Sequence, residues 1–368
     1  MRSRPAGPAI RAREQLGRVG MAEMPGRVML FPEVVDRSSD PRAYGERCYD
    51  FLARVTQWPE MEAARKRMEA WYSHLSDERQ VKLRRTMSEG TEPQFAASFF
   101  ELLLHEFILA SDYYCADDPE PREGERVPDF VVMAPGGTRV FILEATVATD
   151  KSDSARSRER LAAPVLDGLN AIPAPHISLA VRELVLKTDA PPALAELKAF
   201  VAARLAGVRN RDGAGPGTTW TYEDENLRVQ LSPVWLRRKT RKTNIGMLPV
   251  QCRWGGAEAS IQRKLEKKAT RYGALDAPFV VAANVTSEWA GGLEEVTQVL
   301  LGITETRLQR GVDCDWLRQS AHDSFWYAHG KPRHRGVSAV LATSVYPWSV
   351  PRAHLRLYHN PWADQPLP

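Results

Sequence analysis

Residues 127–149 read VPDFVVMAPGGTRVFILEATVAT, and the folding of this stretch decides the rest of the chain. Two strand candidates, VPDFVVM and TRVFILEATV, are joined by Ala134-Pro135-Gly136-Gly137-Thr138, where Pro followed by Gly suits a tight turn, so the segment is expected to form a β-hairpin. Alternation with period two puts Asp129, Val131 and Met133 on one face of the first strand. In the second strand Val140, Ile142, Glu144 and Thr146 share a face, and Phe141, Leu143, Ala145 and Val147 share the other. Both faces are largely apolar, which predicts a central strand covered on each side. An acid in such a strand is costly to bury unless it is paired, hydrogen-bonded or bound to a metal. Asp129 and Glu144 therefore require a partner, and Mg²⁺ suits them because it binds through a few carboxylate oxygens and keeps water elsewhere. The plainer alternative makes Asp129 a turn residue after Pro128 and pairs Glu144 with an arginine.

Upstream, PQFAASFFELLLHEFILA is the most apolar helix in the chain. A helical wheel leaves it one narrow polar stripe, Ser98, Glu101 and His105, while Glu106 falls among Phe95, Phe99 and Leu102. Either acid can reach the hairpin from a packed helix; Glu101 is favoured because only its stripe is not committed to core. A solvated stripe is the competing reading. Downstream, the helix expected from Ile261 to Gly273 carries Lys264, Lys267 and Lys268. The chain has 11 lysines against 39 arginines, so three in one helix stand out. Lys264 and Lys268 lie one turn apart, close to the side carrying Ile261, Leu265 and Tyr272. A lysine beside a metal-bound phosphate stabilises developing negative charge or orients the attacking water.

A helical Glu, then Pro128-Asp129, then Glu144-Ala145-Thr146, resembles the PD-(D/E)XK nuclease superfamily, the restriction-endonuclease-like fold, over roughly residues 95–285. The resemblance implies an α/β fold with a mixed central sheet flanked by helices, to which helical periodicity over about residues 41–90 adds a small helical N-terminal region. It also implies Mg²⁺ (or Mn²⁺) held by Asp129 and Glu144 with help from Glu101, and catalysis supported by Lys268 or Lys264. The superfamily's usual lysine, two residues after the Glu, is replaced here by Thr146, so the lysine has to come from the later helix. The implied function is Mg²⁺-dependent hydrolysis of nucleic-acid phosphodiesters, DNA in preference to RNA, and a homodimer is compatible with it. Thr146 keeps a second reading open, an inactive nuclease-fold module that binds nucleic acid or protein. A third reading is an unrelated α/β protein with a structural hairpin.

The remaining sequence sets bounds. With 368 residues, the expected divisions are an arm at 1–40, a helical region at 41–92, the nuclease-like core at 93–290 and an α/β extension at 291–368 packing on the core. Strands are expected in HISLAVRELVL, ENLRVQLSPVW, APFVVAANV and VSAVLATSVY, with helices in PPALAELKAFVAARLAG and EEVTQVLLG. Ten Trp, ten Tyr and eleven Phe exclude global disorder. The first twenty residues are rich in Arg, Gly and Pro, lack the apolar core of a secretory signal and read as a disordered arm, with Met21 or Met24 as alternative starts; a cytoplasmic location is expected, and no run of apolar residues is long enough for a membrane span. Cys48, Cys115, Cys252 and Cys314 are too far apart to chelate zinc locally. The intervals between His322, His329 and His334 match no zinc pattern either. A net charge of +4 neither demands nor forbids a polyanion. The densest basic stretch, Arg237, Arg238, Lys239, Arg241 and Lys242, is a candidate for phosphate-backbone contact, with a solvated loop as the alternative.

Overall fold

The computed structural model describes residues 28–33, 40–55, 57–116, 127–149, 153–174, 176–208, 217–237, 245–247, 257–286, 293–302, 304–306, 318–320 and 323–367. Met21, Met24, Cys252, Cys314, His322 and the basic residues Arg238, Lys239, Arg241 and Lys242 lie outside them. The helices are α1 (Cys48–Arg54), α2 (Pro59–Tyr72), α3 (Asp77–Glu89), α4 (Glu92–Ala110), α5 (Asp153–Asn170), α6 (Leu194–Ala206), α7 (Ala257–Ala269) and α8 (Leu293–Leu301). The strands are β1 (Tyr114–Cys115), β2 (Phe130–Met133), β3 (Arg139–Thr149), β4 (Ile177–Leu186), β5 (Trp220–Glu223), β6 (Leu227–Trp235) and β7 (Ile245–Met247). They continue with β8 (Phe279–Thr286), β9 (Thr304–Thr306), β10 (Arg318–Ser320), β11 (Tyr327–Ala328), β12 (Lys331–Pro332), β13 (Ala339–Thr343) and β14 (Leu355–His359).

Two compact units share the chain. One comprises Met1–Arg37, Cys48–Asp150 and Trp254–Pro368; the other comprises Ser38–Arg47 and Lys151–Arg253. The stretch expected as one core, 93–290, is thus spread over both. The first unit is built on a six-stranded sheet in the order β1-β2-β3-β8-β13-β14. β3, β8 and β13 run parallel at its centre, while β1–β2, β2–β3 and β13–β14 are antiparallel. Parallel strands covered on both faces read as unbroken apolar runs. FVVAANVT in β8 does so, its first seven residues all buried. Asn284 is the polar exception, and its side-chain amide bonds both the N–H and the C=O of Val345, at 2.9 Å each, as a strand partner would.

Each face of this sheet has its own core. Leu143, Ala145, Val280 and Ala282 pack under α1–α4 with Phe99, Leu102 and Leu103. Ile142, Ala148, Val281 and Ala283 pack on the opposite side under α7 and α8 with Ile261, Leu265, Val296 and Leu300. The face assignment expected for β3 from alternation therefore holds, and its central position does too. The hairpin turn also forms as expected, closed by Gly137 N–H to the Ala134 carbonyl at 2.9 Å with Gly137 at φ 79°. Inside the region expected as an arm, Leu30 and Phe31 are buried, held by the Glu69 carboxylate, which accepts from their N–H groups at 3.0 and 2.7 Å.

In the second unit, β4, β5, β6 and β7 form a four-stranded sheet in the order β5-β6-β4-β7. Leu179, Val181, Val229 and Leu231 pack with Val165 and Leu169 of α5 and with Leu197 and Val201 of α6. Arg237 follows β6 as an exposed residue of this unit. Among the described residues no helix is long and apolar enough to cross a membrane.

Candidate active site

The site forms where β2 begins. β3 pairs with β2 from Arg139 to Leu143 and then runs on to Thr149 with β8 as its one strand neighbour among the described residues, so from Glu144 onward the other edge receives side chains. Asp129, just before β2, turns its carboxylate onto this edge. Its Oδ2 accepts the Ala145 N–H at 2.8 Å, satisfying a backbone donor that a longer β2 would have taken.

Glu144 is fully buried, with 0% of its surface exposed. A carboxylate so placed must be neutralised and hydrogen-bonded. The end of α7 does both. Lys268 Nζ donates to Glu144 Oε2 and lies 3.3 Å from Asp129 Oδ2, so one ammonium bridges both hairpin acids. Arg271 Nη1 lies 3.3 Å from the same Glu144 oxygen, and the Tyr272 hydroxyl donates to Glu144 Oε1 while standing 3.2 Å from the Val127 carbonyl. The Tyr272 ring is fixed edge-on against Phe279, with centroids 5.7 Å apart. Burial, and then Glu144, push the Tyr272 phenol well above its ordinary pKa, so it stays protonated and remains a donor.

The third acid comes from α4. Burial pushes the Glu101 carboxyl up from 4.5 to about 7; Asp129 and Glu144 add to the rise, and Lys268 and Lys82 oppose it. Those neighbours place Glu101 in the same electrostatic cluster as the hairpin acids. Glu106 is committed elsewhere: it is buried, and its oxygens meet His74 Nδ1 at 2.9 Å and His105 Nδ1 at 3.1 Å. The solvated-stripe reading of α4 is corrected, because Ser98 and His105 are only 6% and 7% exposed.

Several expectations change at α7. The helix ends at Ala269, not Gly273, and Thr270 to Ala274 form a turn and bends that bring Arg271 and Tyr272 back toward Glu144. Lys264, one turn before Lys268, is exposed rather than in the cluster. Thr146 is half-buried on the same face of β3. Arg271 is the residue that sequence reasoning missed; its only signal was its place next to Tyr272 at the end of the lysine helix. The plain reading of Glu144, a pairing with arginine, is realised in part through Arg271, but Lys268 shares the same oxygen. Of the basic stretch 237–242 only Arg237 is described, and it belongs to the other unit. His329 is exposed, and His334 stacks on Phe325 at 4.2 Å.

Three carboxylates with no sulfur and no imidazole among them are oxygen donors of the kind that suit a hard divalent cation. Among the described residues no group of three or more His, Cys, Asp and Glu side chains is gathered as a metal cage. The Lys268 ammonium stands between Asp129 and Glu144 and is shared by both carboxylates. Among the described residues neither cysteine is an activated thiol: Cys48 is buried, and burial pushes the Cys115 thiol up to about 11. An open groove of about 610 Å³, lined by Ser157, Arg158, Arg160, Leu161 and Asp189, belongs to the second unit and contains none of these acids. No protein-family model, no curated protein and no solved structure matches the chain.

Proposed function

We propose that this chain is a metal-dependent nuclease of the PD-(D/E)XK type, hydrolysing phosphodiester bonds of nucleic acid, DNA in preference to RNA. The observation that carries the reading is the convergence of Lys268 on both Asp129 and Glu144, a lysine delivered from α7 where the hairpin itself offers Thr146. A mixed sheet flanked by helices, with Glu101 on the preceding helix, supports it further.

Asp129, Glu144 and Glu101 would hold Mg²⁺ (or Mn²⁺), which when bound supplies a Lewis acid for the phosphate and lowers the pKa of the attacking water. The chain's own groups have distinct tasks. The Ala145 N–H fixes the Asp129 carboxylate on the strand edge. Tyr272 and Arg271 hold Glu144 from two sides, so that it keeps its orientation if Lys268 moves. Lys268 has a flexible four-carbon stem, and its ammonium can turn from the acids to the charge that develops on the phosphate. Glu101, whose carboxyl burial raises to about 7 in the metal-free chain, would give up its proton as it takes its place beside the metal.

The test is cleavage of a panel of labelled DNA and RNA with Mg²⁺ by the full chain and by Asp129→Ala, Glu144→Ala and Lys268→Ala. Each substitution should lower the rate by at least about a hundredfold. Unchanged cleavage by the two acid variants refutes the assignment. A second reading has its own observation: Lys268 and Arg271 already balance Glu144 and Asp129 in charge, so the network is complete as a structural ion cluster. It describes a nuclease-fold module that binds without turnover, and metal-dependent product formation eliminates it.

A further inference from the structure

Glu144 is one of the three carboxylates assigned to the cation, yet none of its surface reaches solvent. Both of its oxygens are engaged. Oε1 accepts from the Tyr272 hydroxyl, and Oε2 accepts from Lys268 with Arg271 Nη1 3.3 Å away. An ion reaches this carboxylate only if one of those three side chains gives way. Two of them are pinned. The Tyr272 ring stands edge-on to Phe279, and its hydroxyl lies 3.2 Å from the Val127 carbonyl. The Arg271 guanidinium lies over the Tyr272 ring, 5.8 Å from its centroid. Lys268 has no such clamp. Among the described residues its ammonium bonds only the two hairpin acids, and it ends a flexible four-carbon stem on the last turn of α7.

The same ammonium faces every group the ion would use. It donates to Glu144, lies 3.3 Å from Asp129 Oδ2, and its charge bears on Glu101. Its side chain is 15% exposed, so the amine sits within the cluster and not above it. Charge then makes the two cations exclusive. Asp129 and Glu144 carry two negative charges, and Lys268 with Arg271 supplies two positive ones. A divalent cation added to that balanced group would meet an ammonium on the same oxygens, in a site shielded from water where like charges repel strongly.

We propose that Lys268 is a built-in competitor of the divalent cation: it closes the carboxylate site of the resting chain, and the ion binds by displacing its ammonium from Asp129 and Glu144. The inference rests on the nuclease reading for the ion and describes the regulation of that same site. Entry of the ion frees the amine, so the group that closes the site and the group that turns to the phosphate are one lysine at two stages.

The test measures Mn²⁺ binding by the full chain without nucleic acid, from the electron paramagnetic resonance signal of the free ion. If the ammonium is off the acids for no more than about a tenth of the time, the apparent affinity of the ion is reduced at least about tenfold. Lys268→Gln, which keeps a donor without the charge, and Lys268→Met should each bind Mn²⁺ more tightly than the wild type by that factor. Breaking a buried ion pair is destabilising, so the wild type provides a second measurement. Reductive methylation with labelled formaldehyde, read by mass spectrometry, should modify Lys268 more slowly than exposed Lys264. Adding Mg²⁺ should speed the labelling of Lys268 by at least about fivefold and leave Lys264 unchanged. Wild-type Mn²⁺ binding as tight as that of the folded variants, or a Lys268 labelling rate that Mg²⁺ does not change, overturns the proposal and leaves the nuclease assignment standing. Absence of Mn²⁺ binding in the wild type and in both variants overturns the two together. Tighter binding by the variants of a chain that cleaves no nucleic acid upholds the displacement and overturns only the catalytic reading.

Discussion

Replacing Glu101 by Gln should make the protein more stable at neutral and alkaline pH, and the gain should vanish in acid. Glu101 has a carboxyl pKa of about 7 in the folded chain against an ordinary 4.5. An acid whose folded pKa is raised holds its proton more tightly when folded, so stability falls as pH climbs from about 4.5 to about 7 and levels off above. At about 1.36 kcal/mol per pKa unit the penalty is roughly 2 kcal/mol at pH 6 and about 3 kcal/mol at pH 8. Glutamine keeps the shape of the protonated side chain and has no proton to lose. Urea unfolding of both proteins in EDTA, from pH 4 to pH 8, should give matching curves at pH 4 and a variant more stable by about 2–3 kcal/mol at pH 8. A difference that does not change with pH, or a wild type that is the more stable protein at pH 8, refutes the rise of the Glu101 carboxyl in the folded chain.

Other expectations concern the same cluster. Glu144→Ala should cost roughly 3–5 kcal/mol in urea unfolding, because it leaves Lys268 and Arg271 facing a buried gap; Glu144→Gln, which keeps an acceptor, should cost less. Tyr272→Phe preserves the packing on Phe279 and removes one hydrogen bond to a charged oxygen, so a loss of about 1.5–3 kcal/mol is expected by the same measurement. Mg²⁺ binding should release close to one proton per ion below pH 7, because the ion favours the ionised form of Glu101. Calorimetry in two buffers of different ionisation enthalpy measures that proton, and the release should be lost in Glu101→Gln.

What was legible in the sequence was whatever a short window determines. The hairpin could be read because alternation on both faces of 138–147 and a Pro-Gly turn are local signals, and alternation alone then fixed which side of the sheet Glu144 points to. The lysine helix could be read because lysine is scarce in this chain. The wheel isolated Ser98, Glu101 and His105 as one stripe, but a wheel records angle and not cover, and in the folded unit Ser98 and His105 of that stripe are buried. Glu106 needed partners by the same reasoning as Glu144; besides the adjacent His105 it meets His74, which lies 32 residues away on a separate segment where no local rule reaches. Nor could the second unit be separated, since β4 and β6 show the same alternation as core strands and differ from them only in what they pair with. Tyr272 and Arg271 mark the same boundary in the site itself. Helical periodicity continued to Gly273, and only the tertiary demand of a fully buried Glu144 explains a chain that leaves the helix at Ala269 and turns a phenol and a guanidinium back onto one carboxylate.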